Sequence, residues 1–181
     1  MAIACEIDWA ALGTWAAVVI ALGLALRDKV EARARRKAEA AILAVLIEPE
    51  LQLMAVRIEK IKEAVGLDDE AREWLEANLA NSRAARRSLG SLGERLETPT
   101  LNRSVDRLFA LPSDFSNSIA QAITAIECLR DDLLTIRDEE SDEVAGAHYG
   151  EYVPMVLEHI DNAERFTKSA LESCDRLIPV N

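Results

Sequence analysis

The chain has 181 residues, of which half are apolar and only 4% aromatic, and its formal net charge is -11. This composition, rich in alanine and leucine, favours helices over sheets, and the length allows one anchor and one domain. Residues 38–181 hold fifteen basic and twenty-eight acidic residues, so this domain should repel phosphate backbones, which argues against nucleic-acid binding.

The first predicted element is a single transmembrane helix over residues 9–26, WAALGTWAAVVIALGLAL, which carry no charge. As a helix, eighteen residues rise roughly 27 Å, close to the hydrocarbon thickness of a bilayer. Basic residues follow the run and none precedes it, unlike in a cleavable signal peptide. The alternative is a core helix of a soluble protein, which the unbroken apolar run and the basic residues after it disfavour.

The charges on the two sides of this helix predict its orientation. Residues 27–37 hold six bases against two acids, whereas residues 1–8 hold two acids and no base. By the positive-inside rule, we expect residues 1–8 outside a bacterial inner membrane and the rest of the chain in the cytoplasm. The basic side chains, which should set this topology and meet lipid headgroups, are Arg27, Lys29, Arg33, Arg35, Arg36 and Lys37.

Small residues recur every four positions within the predicted span, at Gly13, Ala17, Ala21 and Ala25. Residues at this spacing share one helix face and let two helix backbones approach closely in a membrane. The row predicts association with a second copy or with another membrane protein, although an alanine-rich helix also produces such a row by chance.

The opening DWAALGTWAAVVIALGLALRDKVEARARRKAEA resembles the start of many uncharacterised bacterial single-pass membrane-anchored helical proteins. These proteins combine a short acidic N-terminus, a Trp- and Ala-rich span and a basic helical stretch. The resemblance covers about the first fifth of the chain. It implies an inner-membrane setting and carries no catalytic residue to transfer.

After the span, a basic helix over residues 27–48 should continue into a cytoplasmic helical bundle over residues 49–178, with a tail at 179–181. Heptad stripes run from Ile47 to Val65 and from Phe115 to Ile136, as in coiled-coil-like packing. We therefore predict an all-α fold with an up-and-down bundle of four main helices and one short extra helix.

Individual residues predict where these helices begin and end. We expect Pro49 to kink the first helix or to start a new one. A second helix should run from Asp68 or Asp69 to about Leu89, and the chain should loosen at Gly90 and Gly93. Pro154 fits the first turn of the last helix.

Three arginines, Arg83, Arg86 and Arg87, form a candidate anion site for an acidic lipid or a phosphate. The alternative is a solvated face whose charges pair with nearby glutamates, which is the common fate of exposed charge. The sequence alone leaves both interpretations open.

No motif for catalysis, nucleotide binding or metal binding occurs in the chain. The acidic run 137–143 lacks the glycine and the bidentate glutamate of a calcium loop, so a solvated connector explains it. His159 has no partner at ligand spacing, and Cys128 and Cys174 fall on apolar faces where buried thiols are usual. We therefore expect no enzyme activity, no cofactor and no small-molecule substrate.

These features together predict a non-enzymatic scaffold or interaction module, tethered to the membrane and self-associating through its transmembrane helix. Its partners would be membrane lipid and either further copies or another membrane protein. The alternative is a membrane effector or channel component, for example of a bacterial stress or phage-response system, whose spans assemble on a cytoplasmic signal.

Overall fold

The computed structural model of the chain describes residues 9–66, 69–108, 111–138 and 142–178. Within helices, it leaves out the side chains of residues 9–13, 16, 69, 71, 138, 142–148, 150 and 151. The described ranges form six α-helices and no strand, so the predicted all-α class is confirmed. They are α1 (Trp9–Val65), α2 (Asp69–Asn81), α3 (Arg83–Glu94), α4 (Pro99–Leu108), α5 (Ser113–Asp138) and α6 (Asp142–Asp175).

Helices α1, α5 and α6 build the core of a helical bundle, in two clusters of buried side chains. One cluster joins Met54–Val65 of α1 to the C-terminal half of α5 and the N-terminal half of α6. The other joins Ala40–Leu51 of α1 to the opposite halves of α5 and α6. From the second cluster to the first, residue numbers rise along α1 and α5 but fall along α6. Helix α6 therefore lies antiparallel to both.

The heptad stripes predicted for α1 and α5 are confirmed. Every residue of the stripe from Ile47 to Val65 is buried, and so is every residue of the stripe from Phe115 to Ile136. Their alternation of three and four residues keeps one side of each helix facing its neighbours. The stripes therefore identify the inward faces of both helices.

Pro49 does not start a new helix, because α1 continues through it to Val65. Proline lacks a backbone N–H, so the carbonyl of Val45 loses its helical partner. Pro49 and Val45 both lie on the exposed side of α1, where water can hydrogen-bond to that carbonyl. The helix can therefore accommodate the proline at this site.

The segment between α1 and α4 differs from its prediction, because it forms two helices instead of one. Ser82 breaks the segment and caps α3, and its side-chain oxygen accepts a hydrogen bond from the N–H of Ala85 at 3.2 Å. Gly90 and Gly93 do not loosen the chain, since both lie buried inside α3. Trp74, a large apolar residue of this segment, is exposed on α2.

The glycines of α3 allow it to pack very closely against α5. A Cβ atom at Gly93 would lie 2.7 Å from Cβ of Leu133, and one at Gly90 would overlap Cβ of Arg137. Helix axes approach this closely only where a side chain is missing from the contact. The expected loosening was wrong because this contact, rather than flexibility, accounts for the glycines.

The last helix begins earlier than predicted. It starts at Asp142 and contains Pro154 in its interior, instead of beginning near that proline. Tyr149 and Val153, which precede the proline, are buried in the core beside α1 and α5. Packing of these residues therefore compensates for the helical hydrogen bond that Pro154 cannot make.

Segment 9–26 is helical, as predicted, but its membrane-spanning role is not supported. Among the residues that the structure describes, no helix is long and apolar enough to cross a membrane. The side chains of residues 9–13 and 16, which belong to the predicted span, lie outside the described part. The acidic connector is described only at its ends, because residues 139–141 also lie outside it.

Candidate interaction surface

The N-terminal half of α1 extends beyond the bundle as an isolated helix. Every described side chain from Thr14 to Glu39 is exposed, and Ala40 is the first residue of α1 in the core. Residues 9–39 rise about 46 Å as a helix, which exceeds the thickness of a bilayer's hydrocarbon core. The helix therefore presents a long surface that nothing in the described bundle covers. We call residues 9–39 the rod.

Large apolar side chains cover the rod from Trp15 to Leu26. They are Trp15, Val18, Val19, Ile20, Leu22, Leu24 and Leu26, and each is more than half exposed. Because successive helical residues point about 100° apart, Val18, Val19 and Ile20 alone face three different directions. A helix that is apolar all round is normally buried in a core or in a membrane. This part of the rod is thus apolar on every side and uncovered by the described bundle.

The predicted association face lies within this apolar part of the rod. Ala17, Ala21 and Ala25 are all exposed, at the four-residue spacing that places them along one face. Gly13, the fourth member of the row, has no described surroundings. The surface of the described row is thus free to meet another helix.

The predicted basic residues occupy the part of the rod between the apolar segment and the bundle. All of Arg27, Lys29, Arg33, Arg35, Arg36 and Lys37 are exposed. Arg27 also pairs with Glu31, one turn later, at 2.8 Å. A concentration of exposed cations next to an apolar helix is well placed to meet anionic headgroups at the edge of a bilayer.

The structure does not bring the three arginines of the candidate anion site together. Arg83 and Arg87 are exposed on α3, whereas Arg86 is fully buried. Nη1 of Arg86 donates a hydrogen bond of 2.7 Å to the backbone carbonyl of Leu79, at the end of α2. Arg86 thus ties α3 to α2 across the break at Ser82, and it does not share a surface site with its neighbours.

A polar cluster that sequence reasoning missed connects α5 to α6. Nδ1 of His159 lies 2.5 Å from Oδ2 of Asp132, and the hydroxyl of Tyr152 donates to Oδ1 of the same carboxylate at 3.3 Å. Asp132 and His159 are 27 residues apart, so no local spacing could reveal the pair. The pair orients an imidazole at the protein surface, as a carboxylate does in many acid–base sites.

His159 also lines a groove of about 360 Å³ between α5 and α6, together with Cys128 and Phe166. Cys128 is exposed, so its predicted burial is wrong. The stripe residues Ile126 and Leu129 point inward and turn Cys128, which lies between them, toward solvent. In this groove the imidazole of His159 is paired with Asp132, and the thiol of Cys128 lines the same wall on α5.

Cys174, by contrast, is buried as predicted. Burial, aided by the charges of Glu48 and Asp175, raises the pKa of its thiol to about 12. The reactive form of cysteine is the thiolate, which is scarce at neutral pH when the pKa is this high. Cys174 therefore acts as a small apolar side chain of the core.

A partly buried ion pair joins α1 to α6, and a second, more exposed pair lies within α6. Glu164 accepts hydrogen bonds from Lys62 of α1 and from Lys168, one turn later on α6. Hydrogen bonding to Lys168 and then to Lys62 lowers the pKa of Glu164, and hydrogen bonding to Glu164 raises the pKa of Lys62. These shifts show that the charged forms are stabilised in the folded state.

Comparisons with protein-family models, with curated proteins and with solved structures give no significant match to this chain. Among the described residues, no group of three or more histidines, cysteines and carboxylates is placed to hold a metal ion. The exposed rod is a surface feature that packing within the described bundle does not explain.

Proposed function

We propose that the protein is a non-enzymatic, membrane-tethered interaction module that associates with other copies of itself. In this proposal residues 9–26 span a bacterial inner membrane, and the bundle stands in the cytoplasm. The rod would then hold the bundle at a fixed distance from the bilayer. The observation that carries the proposal is the full circumference of exposed apolar side chains between Trp15 and Leu26.

Two physical arguments support a bilayer as the partner of the rod. Lipid surrounds a helix on every side, whereas a protein partner covers only one or two faces, so all-round apolarity fits lipid better. The basic residues from Arg27 to Lys37 begin where the apolar segment ends, as cytoplasmic flanks of membrane helices do. Placing six cations there would also attract anionic headgroups.

Membrane extraction tests the tether directly. Full-length protein should stay with the membrane pellet in alkaline carbonate, and the double variant Val19→Lys/Leu22→Lys should move to the supernatant. Each lysine near the centre of a span opposes insertion by about 3 kcal/mol. Trp74→Lys/Met155→Lys, at two exposed apolar sites of the bundle outside α1, is the matched control and should stay in the pellet.

Two outcomes would contradict the tether. One is wild-type protein that carbonate releases completely, and the other is a Val19→Lys/Leu22→Lys variant that remains in the pellet as fully as the Trp74→Lys/Met155→Lys control. Trypsin digestion of sealed vesicles tests the orientation of the protein in the membrane. Because inside-out vesicles expose the cytoplasmic face, the bundle should be cleaved only in those vesicles.

Self-association in the membrane depends on the small-residue row in this proposal. Replacing Ala17 and Ala21 by leucine should block close approach of two helices, and the dimer fraction in lipid should fall several-fold. The matched control, Val18→Leu/Val19→Leu, adds bulk to other faces and should leave the dimer fraction unchanged. An effector, the alternative function, would in addition depolarise the membrane on overexpression, which a scaffold would not do.

A further inference from the structure

The bundle part of α1 carries a second apolar stripe on the side that faces away from the core. Its large members are Ile42, Val45, Leu46, Leu53 and Val56, and the least exposed of them, Leu53, is still 45% exposed. We call these five residues the outward stripe. Together with the exposed Pro49, positions 42, 46, 49, 53 and 56 alternate steps of four and three, which is the heptad spacing of a coiled-coil seam. The segment is thus apolar on two opposite sides, of which the bundle covers one.

A groove widens this exposed apolar surface beside α4. It measures about 310 Å³ and is lined by Ile42, Leu43 and Leu46 of α1 together with Arg107 and Leu111 near α4. Helix α4 is fixed there because the carboxylate of Glu50, on α1, accepts hydrogen bonds from the N–H groups of Thr100 and Leu101. The outward stripe therefore lies on a rigid, grooved surface.

We infer that the outward stripe is the docking face for a second copy of this chain, paired in parallel along α1. A heptad seam packs against another heptad seam, and a two-fold axis pairs a stripe with itself. Among the described residues of the bundle, the other large exposed apolar side chains are Trp74 and Met155, on α2 and α6, which do not form a stripe. The complementary surface that this chain itself offers is therefore the same stripe on another copy.

The heptad register of the outward stripe continues into the rod. Counting back from Ile42 and Leu46 in steps of seven leads to Ala21 and Ala25, two members of the small-residue row. Of the four positions between, Asp28, Arg35 and Glu39 are charged and Ala32 is small, so the apolar seam is interrupted there. Two copies could therefore meet along one side of α1 in two segments, one in the rod and one on the bundle.

The surface area is consistent with such a two-part contact. Each large aliphatic side chain offers on the order of 100 Å² of apolar surface, so five residues on each of two copies give about 1,000 Å². A stable interface needs about 1,200 Å² or more, so the outward stripe by itself falls somewhat short of that area. Contact in the rod would supply the remainder. The parallel direction rests on the proposed function, because a shared membrane places both rods on the same side.

Disulfide trapping tests the inference in the full-length protein in native membranes. Cys5 and Cys128 are first replaced by serine, whereas the buried Cys174 is kept. With mild oxidant, Leu53→Cys and Val56→Cys should each form a disulfide-linked dimer of twice the chain mass. Thr135→Cys, on the exposed side of α5, is the matched control and should give at least ten-fold less dimer.

The same cross-linking experiment distinguishes a parallel pair of α1 helices from an antiparallel one. In a parallel pair Val56 meets its own copy, so Val56→Cys alone cross-links. In an antiparallel pair Ile42 of one copy lies near Val56 of the other, so cross-links would require Ile42→Cys and Val56→Cys expressed together. That second result would overturn the parallel arrangement.

Other outcomes would overturn the docking face itself. They are the absence of dimer at both Leu53→Cys and Val56→Cys, an equal yield at Thr135→Cys, and a cross-linked product that contains a different polypeptide. Carbonate extraction of the same samples separates this inference from the tether. Protein that is released from the membrane but still cross-links at Val56→Cys would contradict the tether and retain the docking face.

Discussion

Helix α1 passes through two environments without a change in secondary structure. From Ala40 to Val65 one side of the helix packs into the bundle, whereas every described side chain from Thr14 to Glu39 is exposed. Both parts contain long apolar side chains, so apolar content does not separate them. The arrangement of these side chains does separate them. In the bundle part they form stripes, whereas in the apolar part of the rod they point in every direction around the helix. The period of the apolar residues along a helix therefore indicates whether its partner lies on one side or on every side.

The largest expected effect comes from placing the same charge in both parts of α1. Ile58→Asp puts a carboxylate at a fully buried position of the core. Loss of the isoleucine and burial of an unpaired charge together should cost more than about 4 kcal/mol, a large share of the stability of a typical domain. Thermal unfolding of the detergent-solubilised protein, followed by circular dichroism, should show an unfolding temperature at least about 8 °C below that of the wild type.

Ile20→Asp is the matched substitution in the rod, where the isoleucine is 63% exposed. It should leave the unfolding temperature of the bundle unchanged and reduce the fraction of protein bound to membranes. If Ile20→Asp lowered the unfolding temperature as much as Ile58→Asp, the rod would have to pack against the bundle. That result would contradict the exposure of the rod.

The second largest expected effect comes from replacing a glycine by alanine, once in the bundle and once in the rod. Gly93→Ala places a methyl group 2.7 Å from Cβ of Leu133, so α3 and α5 must separate or tilt. Overpacking of this kind lowers the free energy of unfolding by roughly 1–3 kcal/mol. Gly23→Ala meets nothing within 4 Å and replaces a poor helix former, so it should leave the stability of the bundle unchanged and stiffen the rod. Urea denaturation of the two variants beside wild type measures the difference, and a neutral Gly93→Ala would contradict the close approach.

The same contrast explains which parts of the fold the sequence could predict. The stripes from Ile47 to Val65 and from Phe115 to Ile136 were predictable, because burial on one side imposes a period that is visible along the chain. The closeness of Gly93 to Leu133 was not, since a glycine in a helix looks like flexibility until its neighbour is known. Sequence patterns thus predicted inward faces and missed the distances between helices.

The candidate sites divide in a similar way. Exposure of the rod follows from its local sequence, and its apolar and basic segments were visible before the fold was known. The pairing of Asp132 with His159, and the burial of Arg86 between its exposed neighbours, depend on how helices distant in sequence come together. Surface features made by one helix were therefore accessible from the sequence, and those made by two were not.

The smallest expected effect concerns ion pairs in the two regions. Arg27 and Glu31 pair on the rod, where both side chains are largely exposed, so Glu31→Gln should cost at most about 0.5 kcal/mol of helix stability. Glu164 and Lys62 pair across the bundle, where their side chains are 18% and 21% exposed. Glu164→Gln should therefore cost about 1 kcal/mol, because the pair also joins α1 to α6.

The pH dependence of that cost follows from the pKa shifts. Hydrogen bonds from Lys168 and Lys62 hold the pKa of Glu164 below its usual 4.5, so its contribution is present above about pH 4.5 and is lost as the pH falls through the lowered value. The hydrogen bond to Glu164 holds the pKa of Lys62 above 10.5, so its contribution is present below pH 10.5 and is lost as the pH rises through the raised value. The stability difference between wild type and Glu164→Gln, measured by urea denaturation, should thus be constant near neutral pH and shrink in acid. The difference between wild type and Glu31→Gln should stay near zero throughout. A Glu164→Gln difference that does not shrink in acid would mean that the glutamate stabilises the bundle by packing and not by charge.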